Sequence, residues 1–511
     1  MITMVKSPKG WLGLTLALIA GAIYPLGFAP LEWWPIAIFS VAIFWWLLNG
    51  QTRKYAMALG FSYGMGFFGV GVSWVYVSIN TFGNAAPPLA VLLTILFIAL
   101  LSLFFVLLGW FNARFINRYN LIAQIIFFST AWLILDIARG SGFVSFPWLY
   151  LGYSQTSGPL LGVASYLGVH GVTFLLIVIS CLVTLALAHV SKKGRSNALM
   201  MLVVLLVAGT GSSFYEIKKD TAQQKTLTIA LIQPNIDQHI KWDRNYFTPI
   251  VKGLFDQTEN YWGADLIVWP EAAIPAFDTQ VPGILYELDE LARDSGSQFI
   301  TGIPLSESRD EYYAGIKMLG NQQADYQKQQ LVPFGEYVPL GAWIRGMIDF
   351  FDLPMSSFTP GSSEQTAMKT AKADYIPAIC YEIAFSGLMQ QLAISTDVDQ
   401  FKAIVTISND TWFGESWGPI QHFQIAKMRA IETGLPVIRS TNNGITAIID
   451  DKGRVINQID RFQSDELVGA FLLDNRNTWF REYGYWSLLI IVLGLLGLLG
   501  LGVIFRGRQK I

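Results

Sequence analysis

The stretch Tyr375-Ile-Pro-Ala-Ile-Cys-Tyr-Glu-Ile-Ala384 decides how the rest of the chain is interpreted. Its short apolar run is typical of a buried strand, and the run ends on Cys380, with Glu382 two residues later. A thiol is a strong nucleophile, but at neutral pH it needs a base to remove its proton and a cation to stabilise developing charge. Alone, a Cys after an apolar run is more often an inert packing residue.

Two further stretches supply a base and a cation. Leu266-Ile-Val-Trp-Pro-Glu271 ends an apolar run on a carboxylate. Lys328-Gln-Gln-Leu-Val-Pro-Phe-Gly-Glu336 offers a lysine and a second glutamate. We therefore predict that Glu271, Lys328 and Cys380 meet in one active site, where the carboxylate moves protons and the ammonium stabilises an oxyanion.

The composition is that of an integral membrane protein. Of 511 residues, 52% are hydrophobic and only 14% are charged, which is far more apolar than a soluble protein of this length. Lys and Arg (35) nearly balance Asp and Glu (37), so nucleic acid is not an expected partner. The second cysteine, Cys181, lies in an apolar segment, so Cys380 is predicted to be a free thiol. The four His residues have no ligand spacing, and neither a metal nor another cofactor is expected.

Eight apolar segments approach the roughly 20 residues that cross a bilayer. They are residues 10–29, 32–49, 56–79, 88–112, 121–138, 162–190, 197–213 and 486–505. Lys and Arg cluster on alternate connections, which predicts that both termini are cytoplasmic and that the long polar region is extracytoplasmic. The predicted domains are a seven-helix membrane domain (1–218), a catalytic domain (224–475), and an eighth helix with a basic tail (476–511).

Two features of the membrane part carry local predictions. The third segment is rich in glycine, which indicates close helix packing. Asp136 and Arg139 stand three residues apart and are predicted to pair near a helix end. Other ionisable residues are scarce in these segments, which argues against a transporter.

The polar region alternates apparent strands with helices, which favours a layered α/β domain. Predicted strands cover 226–234, 266–269, 299–303, 376–380, 403–408 and 444–449, and predicted helices cover 283–294 and 422–432. The loops Ser408–Gly414 and Ser440–Gly444 are interpreted as turns or as a wall of the active site. The apolar stretch Gly341–Met355 is either a surface arm that dips into the bilayer or part of the core.

The order of these motifs resembles the Glu, Lys, Cys order of the nitrilase superfamily. The whole chain is similar to one membrane branch of it, the apolipoprotein N-acyltransferases. The matching motifs are Phe146-Pro-Trp148, Trp269-Pro-Glu271, Lys328 with Leu331-Val-Pro-Phe-Gly-Glu336, Cys380-Tyr-Glu382, and Ser408-Asn-Asp410 with Trp412-Phe-Gly414. The resemblance implies a membrane protein with eight transmembrane helices plus an extracytoplasmic nitrilase-like α-β-β-α sandwich domain.

The resemblance also implies an activity. An acyl chain would pass from a membrane phospholipid, through a thioester on the cysteine, to the α-amine of a diacylglyceryl N-terminal cysteine of apolipoproteins. This ping-pong transfer is the last step of lipoprotein maturation. The implied location is the bacterial inner membrane, with the catalytic domain on the periplasmic side. The expected partners are therefore the phospholipid donor, the apolipoprotein acceptor and the lipid bilayer.

The family's catalytic triad carries over onto Glu271, Lys328 and Cys380. Its supporting residues carry over onto Glu336, Tyr381 and Glu382, and its substrate-gating tryptophan onto Trp242. Trp148, in the aromatic loop on the outer side, is the other predicted substrate-binding residue. The alternative functions are a membrane-anchored nitrilase-type amidase, which would need water at the thioester, a transporter with an accessory domain, and a lipid-binding scaffold.

Overall fold

The computed structural model describes residues 4–142, 145–188, 191–214, 225–308, 311–337, 358–395 and 400–508, with side chains as far as residue 499. The chain divides into two compact units. The helical unit comprises Met1–Tyr215 and Tyr483–Ile511, and the sheet unit comprises Glu216–Glu482. The apolar stretch Gly341–Met355 lies outside the described residues.

The helical unit consists of long apolar helices. Its α-helices are Gly10–Ile23, Trp34–Leu48, Arg53–Gly71, Val75–Val77, Pro87–Arg114, Leu121–Arg139, Ala164–Ala188, Lys192–Phe214 and Trp486–Arg508. Each of the eight predicted spans overlaps at least one of them. Within the described residues, five helices are long and apolar enough to cross a membrane, or six if the bent pair Arg53–Gly71 and Val75–Phe82 is one span. Trp34–Leu48 and Trp486–Leu499 are shorter apolar helices.

The helices of this unit pack closely around an aromatic core. Phe44 stacks on Tyr63 with ring centroids 4.1 Å apart, and both are buried. A Cβ atom on Gly60 would lie 2.1 Å from the carbonyl oxygen of Phe105, so only glycine allows this helix crossing. The predicted close packing of the third segment is thus confirmed.

The predicted ion pair at the end of helix Leu121–Arg139 is also confirmed. A distance of 2.8 Å separates the Arg139 guanidinium from Asp136. Arg139 also donates to the carbonyl oxygens of Phe146 (2.9 Å) and Trp148 (2.6 Å). Both charged side chains are buried. Their contact with each other, and the contacts of Arg139 with the two carbonyl oxygens, offset the free-energy cost of burying these charges in an apolar environment. The aromatic loop that carries Trp148 is therefore tied to this helix.

The sheet unit contains two six-stranded sheets. Its strands are β1 Lys225–Gln233, β2 Leu266–Val268, β3 Gln298–Ser306, β4 Tyr312–Gly320, β5 Ala324–Gln327, β6 Met368–Lys369, β7 Asp374–Ile379, β8 Lys402–Ser408, β9 Val437–Thr441, β10 Thr446–Ile449, β11 Val455–Ile459 and β12 Asp465–Leu473. One sheet has the order β12-β1-β2-β3-β4-β5 and the other β11-β10-β9-β8-β7-β6. β1 and β12 are antiparallel partners, from Lys225 opposite Leu473 to Gln233 opposite Asp465. The six predicted strands and both predicted helices are confirmed.

Helices cover the sheets and bury their apolar residues. The α-helices of this unit are Gln238–Lys241, Phe247–Thr258, Pro282–Ser295, Ser386–Ile394, Gly418–Thr433 and Trp479–Tyr483. Leu254 and Leu288, from two of these helices, form a core with Ile267, Trp269 and Phe299 of the first sheet. Strands β1, β2 and β3 run parallel, as do β7, β8 and β9. Since functional groups gather at the carboxyl ends of parallel strands, these ends position the site described next.

Candidate active site

Cys380 lies at the carboxyl end of β7, at the start of a short 3-10 helix, Cys380–Ala384. The strand is buried at every position, and the chain turns at its end into the equally buried 3-10 helix. Cys380 makes this turn with a φ of 50°, a left-handed conformation that is uncommon for a residue with a side chain. It is 9% exposed. The strained turn sets the thiol at the edge of the sheet.

A buried polar network holds the backbone of Cys380. His422, on helix Gly418–Thr433, has its Nε2 3.0 Å from the carbonyl oxygen of Cys380. Its Nδ1 lies 3.0 Å from Asp410, which also pairs with Arg439 at 2.7 Å. Because a carbonyl oxygen can only accept, Nε2 carries the proton of the hydrogen bond to Cys380. Burial and the Arg439 charge lower the pKa of His422, and the Asp410 carboxylate opposes that fall. Burial opposes ionisation of Asp410, yet Arg439 and His422 bring its pKa well below the ordinary value.

Sequence patterns alone assign no role to His422, Asp410 or Arg439. Asp410 belongs to a motif after β8, and His422 to a predicted helix. Arg439 gave a usable signal, because a charged residue inside the short β-branched run of β9 needs a buried partner.

Glu271 follows the end of β2 and lies beside the loop after β8. Its Oε2 accepts a 2.7 Å hydrogen bond from the backbone N–H of Asn409. The next residue, Ala272, has a φ of 47°, and a Cβ atom on Gly302 would lie 2.7 Å from the Cα of Glu271. The backbone of Glu271 is thus fixed by a strained turn and by close contact with β3. Burial raises the pKa of the carboxyl, and the Lys328 charge opposes that rise.

Lys328 lies just after β5, and its side chain is fully buried between two carboxylates. Its Nζ is 2.6 Å from Glu336 and 3.7 Å from Glu271. Burial alone would lower the pKa of this lysine, but Glu336 and Glu271 outweigh it and raise the pKa above the ordinary value. Glu336 is held in turn by the backbone N–H of Val332 at 2.8 Å. Lys328 is therefore a fixed ammonium group within the site.

The thiol of Cys380 is protonated in this environment. Burial and the Glu271 carboxylate raise its pKa, while Lys328 acts in the opposite direction. A thiolate is therefore not stored at rest and must form by proton transfer during reaction. A carboxylate with a raised pKa is well matched to accept that proton. The structure brings the three predicted catalytic residues together.

Glu382 connects Cys380 to the segment that carries Lys328. Its carboxylate accepts hydrogen bonds from the hydroxyl of Tyr326 (3.0 Å) and from the backbone N–H groups of Gln329 (2.6 Å), Gln330 (3.2 Å) and Ile379 (2.8 Å). The side chain is buried, and burial raises its pKa to about 7 while the hydrogen bond from Ile379 opposes the rise. Since Gln329 follows Lys328 and Ile379 precedes Cys380, Glu382 fixes their backbones relative to each other.

The other predicted site residues occupy different surroundings. Tyr381 is buried, with its ring 5.3 Å from that of Phe385. Trp242 is 37% exposed, directly after helix Gln238–Lys241. Trp148 belongs to the helical unit, where it is buried against Phe146 and Trp74.

Of the two loops interpreted as turns or as a wall of the site, the first contacts Glu271 directly and the second contacts the first. Asn409, from the first loop, binds Glu271 through its backbone and Gln238 through its side chain, at 2.8 Å. Asn442, from the second loop, donates to Asn409 at 3.2 Å and to the carbonyl oxygen of Ile236 at 2.8 Å. Among the residues that the structure describes, no group of three or more His, Cys, Asp or Glu could hold a metal ion.

Comparison with known proteins places the chain in a family. Residues 20–182 match the apolipoprotein N-acyltransferase N-terminal domain, and residues 228–479 match the carbon-nitrogen hydrolase family. An apolipoprotein N-acyltransferase from Pseudomonas syringae pv. tomato is 40% identical over 496 residues, which is 96% of each chain. The chain belongs to the apolipoprotein N-acyltransferase family. Another member, from Vibrio parahaemolyticus, is 40% identical over 482 residues, or 92% of this chain and 94% of its own.

A solved carbon-nitrogen hydrolase from Helicobacter pylori G27 aligns at 12% identity with a TM-score of 0.37, over 48% of this chain and 88% of its own.

Membership of the apolipoprotein N-acyltransferase family confirms the predicted family and the predicted class of enzyme, an acyltransferase. Together with the apolar helices, it makes the chain a multi-pass membrane protein. The roles of single residues stay predictions.

Proposed function

We propose that this enzyme transfers an acyl chain from a membrane phospholipid to the α-amino group of a diacylglyceryl N-terminal cysteine of apolipoproteins, through a thioester on Cys380. The arrangement of Cys380, Glu271 and Lys328 is the observation that carries the proposal. Lys328 is a buried ammonium 3.7 Å from Glu271, and both charges act on the thiol. A thioester splits a difficult exchange of ester for amide into two easier steps.

In the first step, Glu271 takes the thiol proton as the sulfur attacks the ester carbonyl carbon of the phospholipid. Lys328 stabilises the oxyanion of the tetrahedral intermediate, an effect of about 3 kcal/mol for comparable donors. The bond from carbon to the glycerol oxygen then breaks. Glu271 returns its proton to that oxygen, and the lysophospholipid leaves the thioester behind.

In the second step, the incoming ammonium loses one proton to water, and Glu271 removes a second proton from the amine nitrogen as that nitrogen attacks the thioester carbonyl carbon. The carbon–sulfur bond breaks, the amide is released, and the sulfur recovers a proton from Glu271. Glu336, Tyr381 and Glu382 are the proposed supporting residues. Glu336 holds Lys328 directly at 2.6 Å. Trp242 and Trp148 are proposed to contact substrate.

Other parts of the proposal concern architecture and location. We infer eight transmembrane helices, both termini in the cytoplasm, and the catalytic domain on the periplasmic side of a bacterial inner membrane. The proposed boundaries are 1–218, 224–475 and 476–511. Alternating Lys and Arg clusters support the orientation. An alkaline-phosphatase fusion near Ser306 should be active, and an inactive fusion would refute the orientation.

We also infer that the two sheets form the inner layers of an α-β-β-α sandwich. Hydrogen bonds from Ser440 of β9 to the carbonyl oxygens of Ile232 (3.2 Å) and Val268 (3.4 Å) in the first sheet support this arrangement.

Intact-mass measurement after incubation with phosphatidylethanolamine alone tests the covalent step. The wild type should gain the mass of one acyl chain, and Cys380→Ala should gain none. Cys181→Ala is the matched control, because that cysteine is buried in a helix of the other unit, and it should acylate normally. Product formation by Cys380→Ala would show that the nucleophile is wrong. Release of free fatty acid in place of a stable acyl-enzyme would favour the hydrolytic alternative.

A further inference from the structure

Lys241 is a second buried lysine at the catalytic centre. It ends the helix Gln238–Lys241 and is 1% exposed. Its Nζ donates a 3.1 Å hydrogen bond to the carbonyl oxygen of Glu271. Lysine is almost never fully buried without a specific partner, so this ammonium is held in place by the residue that the mechanism uses as its base.

The segment that carries Lys241 contacts Glu271 by a second route. Gln238 accepts a 2.8 Å hydrogen bond from the side chain of Asn409, whose backbone N–H binds the Glu271 carboxylate at 2.7 Å. The segment begins at Ile236, which exchanges two hydrogen bonds with Asn442. It ends at Trp242, which is partly exposed. The segment therefore joins an accessible tryptophan to both the backbone and the carboxylate of the base.

We propose that Lys241 is a positioning residue that fixes the backbone of Glu271 and, by its charge, favours the carboxylate form of that side chain. The inference rests on the proposed role of Glu271 as the base. Without the Lys241 charge, Glu271 is a poorer acid and is more often protonated at rest.

The charges around Glu271 agree with this role. The groups that act on it are Lys328 and Lys241, which lower its pKa, and Glu336, which raises it; the Cys380 thiol is also within electrostatic range. Burial lowers the pKa of Lys241 to about 8, and Glu271 opposes that fall. Lys241 is thus charged on the acidic side of this value and neutral on the basic side.

The test is the pH dependence of thioester formation by the full-length enzyme in detergent micelles with phosphatidylethanolamine, followed by intact mass. The rate should fall on the acidic side as Glu271 is protonated. Removing the lysine charge raises the pKa of Glu271, so in Lys241→Met this acidic limb should move to higher pH. We expect a rate roughly fivefold below wild type on that limb. The ratio should shrink towards one at higher pH, where Glu271 is ionised in both proteins.

Two further variants complete the test. Lys241→Arg keeps the charge, and its acidic limb should coincide with that of the wild type. Lys252→Met removes an exposed lysine of the same unit and should change nothing. A rate ratio for Lys241→Met that does not vary with pH, or an equal shift in Lys241→Arg, would overturn the proposal. If the wild type forms no thioester at any pH, the proposed function fails instead.

Discussion

The imidazole of His422 lies against the peptide carbonyl of Cys380, with 3.0 Å between Nε2 and the oxygen. The φ of 50° at Cys380 costs roughly 1 to 3 kcal/mol for a residue with a side chain. Such a turn persists only when its surroundings enforce it. His422 is the side chain that binds this carbonyl, and Asp410 and Arg439 fix the ring in turn.

The effect of replacing His422 on the rate of thioester formation should therefore depend on where the new side chain places its hydrogen-bond donor. The amide nitrogen of Gln can occupy the place of Nε2, whereas that of Asn corresponds to Nδ1 and falls short of Cys380. We expect His422→Gln to retain most thioester formation. His422→Asn should lose about 1 to 3 kcal/mol of stabilisation at the turn and slow the reaction. Stopped reactions analysed by intact mass would measure both rates, and equal losses would exclude a role for the Nε2 donor.

A second prediction concerns the contact between β3 and Glu271. A Cβ atom on Gly302 would lie 2.6 Å from the Pro270 carbonyl oxygen and 2.7 Å from the Ala272 nitrogen, so Gly302→Ala must displace the base. Thioester formation should fall at least tenfold, about 1.4 kcal/mol, and the melting temperature should drop. Gly283→Ala is the control, since nothing lies within 4 Å of its added Cβ. Normal activity in Gly302→Ala would contradict the prediction.

A third prediction follows from the burial of Lys328 between two carboxylates. Lys328→Met should slow thioester formation by roughly 10²- to 10³-fold, as the loss of an oxyanion donor does elsewhere. Glu336 then loses its ion-pair partner, and Glu271 loses the larger of the two lysine charges that act on it, which raises the pKa of Glu271. The variant should therefore be most stable at low pH and lose stability as the pH rises.

Thermal melts of Lys328→Met across pH would check this trend. The control is Lys317→Met, which removes a partly exposed partner of Asp325 and should cost less than about 1 kcal/mol. A melting temperature of Lys328→Met that tracks the wild type at every pH would argue against the ion-pair role.

Glu382 gives a fourth prediction. Its pKa in the fold, about 7, lies above the ordinary 4.5, so the folded state holds this proton more tightly than the unfolded chain does. The stability that proton binding contributes is complete below pH 4.5 and is lost as the pH rises through 7. This loss amounts to about 3 kcal/mol at most.

Glu382→Gln cannot titrate in this range. As the pH rises from 4.5 to 7, the melting temperature of the wild type should therefore fall relative to that of Glu382→Gln. A difference that stays constant would show that the carboxyl does not titrate there. Thioester formation by the same variant should fall at every pH, because an amide can accept fewer of the four hydrogen bonds.

The strands that the sequence analysis found are those with uninterrupted apolar runs, such as β7 and β8. Buried on both faces, they read as continuous hydrophobic stretches. β11, exposed at four of its five residues, carries no such run, whereas β12 has one, Leu467–Leu473, after two acidic residues and was missed nonetheless. β9 was missed because Arg439 interrupts it. Their places in the sheets depend on partners distant in sequence, which local patterns do not reveal.

The active site likewise contains residues that short motifs predict and residues that only the fold brings into contact. The order of three short motifs was sufficient to predict that Glu271, Lys328 and Cys380 meet. Lys241 was overlooked because a lysine in a short polar segment is usually solvated, and only contact with Glu271, 30 residues away, accounts for its burial. The helix that carries His422 was predicted from periodicity, but periodicity does not tell which ring nitrogen reaches a distant carbonyl group.

The pairing of β1 with β12 bears on how such an enzyme could arise. Lys225 lies directly opposite Leu473, so the first and last strands place the two ends of the domain about 5 Å apart. A domain whose ends are adjacent can be inserted into a connection between two helices of another protein without disturbing either fold. A single insertion event is therefore enough to place a soluble hydrolase domain within a membrane bundle. In the reverse direction, excising the domain at the ends of β1 and β12 gives a separate soluble domain.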